Sequence, residues 1–211
     1  MMKKDINSRI LLTHPQVSIY LAISLFHWHP RLSTILESLD FIQQQKSFQE
    51  FNRIIDIGCG PGRLSVSAIE RGFSYVGIDN NKKYIDYCKK AYSNCDIKFI
   101  HGDATNCFQS SSGDIVIMNG IMHHLKDRQI FQIIEKCKQS RAFIVADHLY
   151  NVGKDQAIVR LLQRLDRGKY IRKYQTYEKF FSEKSAMSAF YPINVMGVIF
   201  WNYFTDVYLI H

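Results

Sequence analysis

Three glycines at alternate positions, Gly58, Gly60 and Gly62, follow the apolar run Ile54-Ile55-Asp56-Ile57. A strand ending in such a turn lets a nucleotide-like ligand approach the backbone, where a Cβ would collide with it. The first N–H groups of the next helix then attract an anionic group such as a carboxylate or phosphate. Dinucleotide sites favour G-x-G-x-x-G, and Arg63 stands where that spacing needs a glycine. A nicotinamide dehydrogenase is therefore disfavoured. The second chemical signal is histidine: His123 and His124 follow a fourth apolar run, and Asp147-His148 follow a fifth. An imidazole with an ordinary pKa of about 6.5 suits proton transfer. The plainer role, lining a pocket or bonding a backbone carbonyl, stands beside it.

The stretch Asp56-Ile57-Gly58-Cys59-Gly60-Pro61-Gly62 resembles the first motif of class I S-adenosylmethionine-dependent methyltransferases. The resemblance implies that Asp56, Gly58, Cys59, Gly60 and Gly62 surround S-adenosyl-L-methionine. Ser74–Asp79 reads as a second strand ending in an acid, and the resemblance gives Asp79, with Asn80 beside it, to the ribose. Asp79, Asn80 and Asn81 equally suit a helix N-cap. A third strand, from Ile97, ends in Gly102-Asp103-Ala104. In similar enzymes the acid here accepts from the adenine amino group and a neighbouring N–H reads the ring, which assigns Asp103 and Ala104. The fourth strand, Asp114–Asn119, opens into Gly120–Leu125. By resemblance Asn119 and this segment pass beside the methionine part of the cofactor and the substrate.

These residues need a frame that gathers strand ends. From Arg53 to His148 the pattern alternates strand and helix, with helices expected over Arg63–Arg71, Lys82–Ser93 and Asp127–Gln139. Such alternation implies a parallel sheet with helices on both faces and ligands at the carboxyl ends of the strands. The expected fold is α/β: a doubly wound, mostly parallel, seven-stranded Rossmann-like sheet with an antiparallel C-terminal hairpin. A helical layer over residues 1–50 precedes it, with Ile19, Ile23 and Phe26, then Leu32, Ile35, Leu36 and Leu39, at helical spacing. His29-Pro30 separates two helices there. The catalytic domain is expected over residues 51–211, with a helical insertion at about 149–190 that carries Tyr177, Phe180 and Phe181 on a helix. The closing strands are expected over Val195–Phe200 and Asp206–Ile210. Within the insertion, Asp166-Arg167-Gly168-Lys169-Tyr170-Ile171-Arg172 resembles a subset of small class I methyltransferases. It makes Arg167 and Arg172 substrate candidates along with Asp147 and His148, and Asp147 is expected to position one arginine through a charge-assisted pair. A helix stop at Gly168 between solvated arginines explains the pattern equally well.

Composition narrows the class. A hydrophobic content of 46% and four prolines in 211 residues fit a packed globule, not a disordered chain. Five cysteines without a C-x-x-C pair read as reduced thiols of a cytoplasmic protein; neither a disulfide frame nor a metal site is expected from them. No run spans the roughly 20 uninterrupted apolar residues that cross a bilayer. The formal charge of +8 raises nucleic acid as a partner, yet pairs such as Lys82-Lys83 and Lys89-Lys90 suit solvated helix faces. Asn119-Gly120-Ile121-Met122 also offers no aromatic platform for a flipped base. The expectation is methyl transfer to a small or lipid-like metabolite with His123 or His124 as base. An RNA methyltransferase and a non-catalytic cofactor-binding protein are the alternatives.

Overall fold

β-branched and aromatic runs build the strands, and glycine or asparagine turns end them at one edge of the sheet. In the computed structural model the described residues are 29–45, 53–92, 97–149, 169–182, 184–195 and 198–210. The elements are α1 (His29–Gln43), β1 (Arg53–Ile57), α2 (Arg63–Glu70), β2 (Ser74–Asp79), α3 (Lys82–Ala91) and β3 (Ile97–His101). They continue as β4 (Asp114–Asn119), a 3₁₀ turn (Met122–His124), α4 (Asp127–Cys137), β5 (Ala142–Leu149), α5 (Tyr174–Glu178), β6 (Met187–Val195) and β7 (Val198–Leu209). All seven strands form one sheet in the order β3-β2-β1-β4-β5-β7-β6. The first five pair in parallel, and β7 runs antiparallel to both β5 and β6.

Strand periodicity sends alternate residues to opposite layers. Ile115 and Ile117 face the core that α1 covers with Ile35, Leu39 and Ile42. Val116 and Met118 face the core that α4 covers with Ile130, Ile133 and Cys137. A strand buried on both faces reads as a continuous apolar run, which is why β1, β4 and β5 are so plain in sequence. Arg53 locks the start of β1 to β4, donating through Nε and one terminal nitrogen to the two Asp114 oxygens at 2.7 Å each. Strand order reverses between β1 and β4, and ligand crevices open at such a switch point.

Several boundaries differ from expectation. β5 runs on through Asp147 and His148, which therefore lie inside a strand whose eight residues are all buried. The C-terminal hairpin forms, but over Met187–Val195 and Val198–Leu209; polar Asn202, Thr205 and Asp206 do not break it. Asp206 stays in the strand because Tyr174 and Tyr208 donate to its carboxylate at 3.0 and 3.1 Å. α5 is a single short helix, so Phe180 and Phe181 fall beyond its end. The expectations for Ile19, Ile23, Phe26 and Arg167 lie outside the described residues, as does most of the insertion. Among the described residues, no helix is long and apolar enough to cross a membrane.

Candidate active site

The glycine turn is fastened to β2: Gly58 and Cys59 donate backbone N–H groups to the Ile78 carbonyl at 2.7 and 3.1 Å. Gly58 and Gly60 both have positive φ, the left-handed region that disfavours a side chain. Their surroundings differ. A Cβ on Gly58 would collide with Cδ1 of Ile121, whereas one on Gly60 would meet no atom of the described residues within 4 Å. The first glycine thus lets the segment after β4 pack against the turn, and the second faces open space.

Beneath the turn, Tyr75 donates its phenol to Asp56 at 2.5 Å. Burial pushes the Asp56 carboxyl up to about 7; the tyrosine bond works against that shift and the Asp79 charge adds to it. Asp56 therefore supports the turn from within the sheet. Cys59 and Cys88 each direct Sγ at the Gly60 carbonyl, at 3.7 and 3.5 Å. Burial pushes both thiols up, Cys88 to about 12, so they act as neutral packing groups.

Asp79 ends β2 and binds in two directions. Oδ2 accepts from Gly60 N–H at 2.9 Å and Oδ1 from Asn81 N–H at 2.7 Å. The capping role falls to Asn81, whose side chain accepts from Lys83 N–H at 3.0 Å. Asn80 is exposed next to it. After β3, Asp103 Oδ1 accepts from the Thr105 N–H and hydroxyl, both at 2.8 Å, and partly buried Ala104 sits within that turn. Asn119 ends β4 with a buried Oδ1 that has no hydrogen-bond partner among the described residues.

The densest cluster joins β4 to β5. These strands pair Asn119 with Ala146, so the turn after β4 lies over the end of β5. Asp147 Oδ1 accepts from His123 Nδ1 at 2.5 Å, and Oδ2 accepts from His123 N–H at 2.9 Å. His148 N–H donates to Oδ1 at 2.6 Å. Burial alone would raise the Asp147 carboxyl. The two imidazoles and their bonds more than offset it and hold the group well below the usual carboxylate range. An ionised Asp147 only accepts, so His123 Nδ1 carries the proton and, in the neutral ring, Nε2 is the unprotonated nitrogen. Exposed His124 lies against the His123 ring at 4.0 Å, and Tyr203 of β7 edges the His148 ring at 4.7 Å.

A strap from the insertion holds this turn in place. Arg172 donates to the carbonyls of Met122 (2.9 Å), Leu125 (2.8 Å) and Tyr170 (2.8 Å), and to Asp127 Oδ1 at 2.6 Å. Tyr170 N–H donates to the His123 carbonyl at 2.9 Å, and Arg172 bridges Leu149 in parallel fashion. This corrects the expectation that Asp147 positions Arg172: the aspartate binds the histidines and the arginine binds the turn and Asp127. With its guanidinium spent on the protein, Arg172 is a positioning residue. Sequence reasoning missed Tyr177, whose phenol donates to the His148 carbonyl at 3.1 Å, and Tyr203. Both look like ordinary core aromatics until the sheet order is known.

The fold is a doubly wound α/β sheet with a glycine turn at its switch point. Residues 54–141 match the methyltransferase domain family. Over 125 residues the chain is 26% identical to the mitochondrial ubiquinone biosynthesis O-methyltransferase of Schizosaccharomyces pombe. That match covers 56% of this chain and 46% of the relative, so the chain spans about half the length of that relative. Among solved structures, a SAM-dependent methyltransferase of Leishmania major superimposes with a TM-score of 0.63 at 12% identity, covering 84% of this chain and 72% of that one. The PH0226 protein of Pyrococcus horikoshii OT3 gives 0.60 at 16% identity, covering 85% and 91%. Residues 54–141 thus carry the methyltransferase-domain pattern, on a fold shared with S-adenosylmethionine-dependent methyltransferases.

The residues present suit that family's cofactor. Gly60 leaves its Cβ side open, Asp79 holds a carboxylate at the tip of β2, and Asn119 Oδ1 is a buried acceptor beside the turn, unmatched among the described residues. That acceptor suits the ammonium of a methionine moiety.

Proposed function

We propose that the chain methylates a hydroxyl or other protic atom of a small or lipid-like metabolite, with His123 as the base that Asp147 orients. Gly58, Cys59, Gly60, Gly62, Asp79, Asn80, Asp103, Ala104 and Asn119 would hold the cofactor, with Asp56 supporting their turn. S-adenosylmethionine bound there would supply an electrophilic methyl group on a sulfonium, with a neutral thioether as the leaving group. His123 Nε2 takes the acceptor's proton, and Asp147 stabilises the resulting imidazolium. A buried carboxylate–imidazole pair beside the glycine turn carries the reading. A positioned base contributes typically about 10²–10⁴-fold. The name of the Schizosaccharomyces pombe relative, an O-methyltransferase of ubiquinone biosynthesis, adds support for oxygen on a lipid-like acceptor.

The test is a screen with methyl-labelled cofactor against fractionated cell extracts. Label should enter small or organic-soluble molecules, and His123→Ala should lower kcat by about 10²–10⁴-fold without changing affinity for S-adenosylhomocysteine. Label in RNA, or binding without any transfer, would overturn the proposal in favour of one alternative or the other.

A further inference from the structure

The His123–Asp147–His148 cluster converges on one point as well as pairing within itself. His123 Nδ1, Asp147 Oδ1 and His148 Nδ1 all lie within 4.8 Å of one another, on three buried residues. The separations are 2.5 Å between His123 and Asp147, 3.3 Å between the two imidazole nitrogens, and 3.4 Å between His148 and Asp147. Hydrogen bonding accounts for the first contact. It accounts poorly for the others: 3.4 Å is beyond ordinary N–H···O length, and facing Nδ1 atoms can share only one proton.

A divalent ion satisfies all three at once. Zinc binds imidazole nitrogen at about 2.0–2.1 Å and carboxylate oxygen at about 2.0–2.2 Å, and donors this close together can all reach one ion at such distances. Two imidazoles and one carboxylate suit first-row divalent metals, and three protein ligands leave a fourth tetrahedral position for water or an acceptor oxygen. The carboxylate is already oriented by the backbone N–H groups of His123 and His148, the kind of support that ligating groups commonly have.

We propose that His123, Asp147 and His148 form a binding site for a divalent transition ion, zinc foremost, and that the ion competes with the base role of His123. The competition rests on the proposed function; the site itself does not. When the nitrogen–metal bond forms, the single proton of the neutral His123 ring leaves Nδ1 for solvent and solvent returns one to Nε2, a change of tautomer with no net loss of protons from that ring. No electrons are transferred. A ring protonated at Nε2 donates there and takes no proton from an acceptor, so zinc arrests the transfer by occupying its base.

The whole chain, stripped with a chelator, would be titrated with zinc chloride against a chromophoric competitor. One tight equivalent is expected, with an X-ray absorption spectrum showing nitrogen and oxygen ligands, imidazole scattering and no sulfur. His148→Ala and Asp147→Asn should each weaken zinc by at least about 10–100-fold, the range that outer-shell losses alone produce. Binding of S-adenosylhomocysteine and a cooperative melt check each variant's fold, and His148→Ala decides alone if Asp147→Asn does not fold. Long-range proton–nitrogen NMR should show His123 Nε2 changing from unprotonated to protonated on adding zinc; no change would overturn the competition. Sulfur in the ligand shell, the lack of a tight equivalent, or unchanged affinity in a folded variant would overturn the site. Zinc binding without S-adenosylhomocysteine binding would keep the site and remove the proposed function, and the reverse result would do the opposite.

Discussion

Gly58 and Gly60 share a backbone conformation, yet substituting them should have different consequences. Left-handed φ costs a non-glycine residue roughly 1–2 kcal/mol. At Gly60 that is the main protein-side cost, because no atom of the described residues lies within 4 Å of the missing Cβ. Gly60→Val should therefore fold, melt about 2–8 °C lower, and lose S-adenosylhomocysteine binding in calorimetry, since the new side chain fills the ligand's space. Gly58→Val adds the collision with Ile121 and should melt lower still. Equal ligand affinity in wild type and Gly60→Val would remove the glycine turn from the site. Asp79→Ala should weaken the same ligand by about 1–3 kcal/mol, the worth of hydrogen bonds to a charged group. Part of that loss passes through the turn, because Asp79 also holds Gly60 N–H. Calorimetry showing full-strength binding to Asp79→Ala would exclude the ribose role.

Arg172 exerts its effect on an element, the turn that carries His123. Its guanidinium satisfies three carbonyls and one carboxylate, and it faces the rings of Tyr177 and Phe180 at 5.9 and 5.4 Å. Arg172→Ala removes a donor from the Met122, Leu125 and Tyr170 carbonyls, at up to about 1–3 kcal/mol for each one left unsatisfied. It should speed proteolysis between residues 122 and 127 and lower the melting temperature. Arg172→Lys should recover only part of the loss, because an ammonium lacks the planar fork. A lysine variant as protease-resistant as wild type would show that charge alone suffices. In the sequence, β2 and β4 were readable to the residue, since apolar runs between turn residues leave little choice. Asp147 and His148 were readable as chemistry but misplaced as a strand end, because charge and imidazole look like an exit from a core. Their partners, His123 24 positions away and Tyr177 29 positions away, come together only through the order β4-β5-β7. A local pattern carries no trace of that order. The same holds for Arg172 and Asp127, 45 residues apart.

At the scale of the whole molecule, Asp56 links the cofactor turn to global stability through pH. Its folded carboxyl is pushed up to about 7 from an ordinary 3.8, chiefly by burial. Between those values the folded chain holds a proton that the unfolded chain releases. The contribution is thus fully present below about pH 4 and is lost as pH rises through about 7. The span corresponds to on the order of 4 kcal/mol, with little discount for solvent because Asp56 is buried. Asp206, also raised by burial, acts in the same sense. Asp147 acts in the opposite sense, its contribution being lost as pH falls below the ordinary carboxylate range. In the window from pH 4 to 7 the raised carboxyls titrate alongside the histidines, whose ordinary pKa is about 6.5. The basic chain, +8 at neutral pH, gains positive charge on acidification and opposes the trend, so the comparison must be between variants at matched pH. Asp56→Asn resembles the protonated acid and does not titrate. Denaturant unfolding should find it progressively more stable relative to wild type from pH 4 to pH 7, and level above that. A difference that stays constant across the window would mean that Asp56 ionises normally and that its bond to Tyr75 compensates for burial.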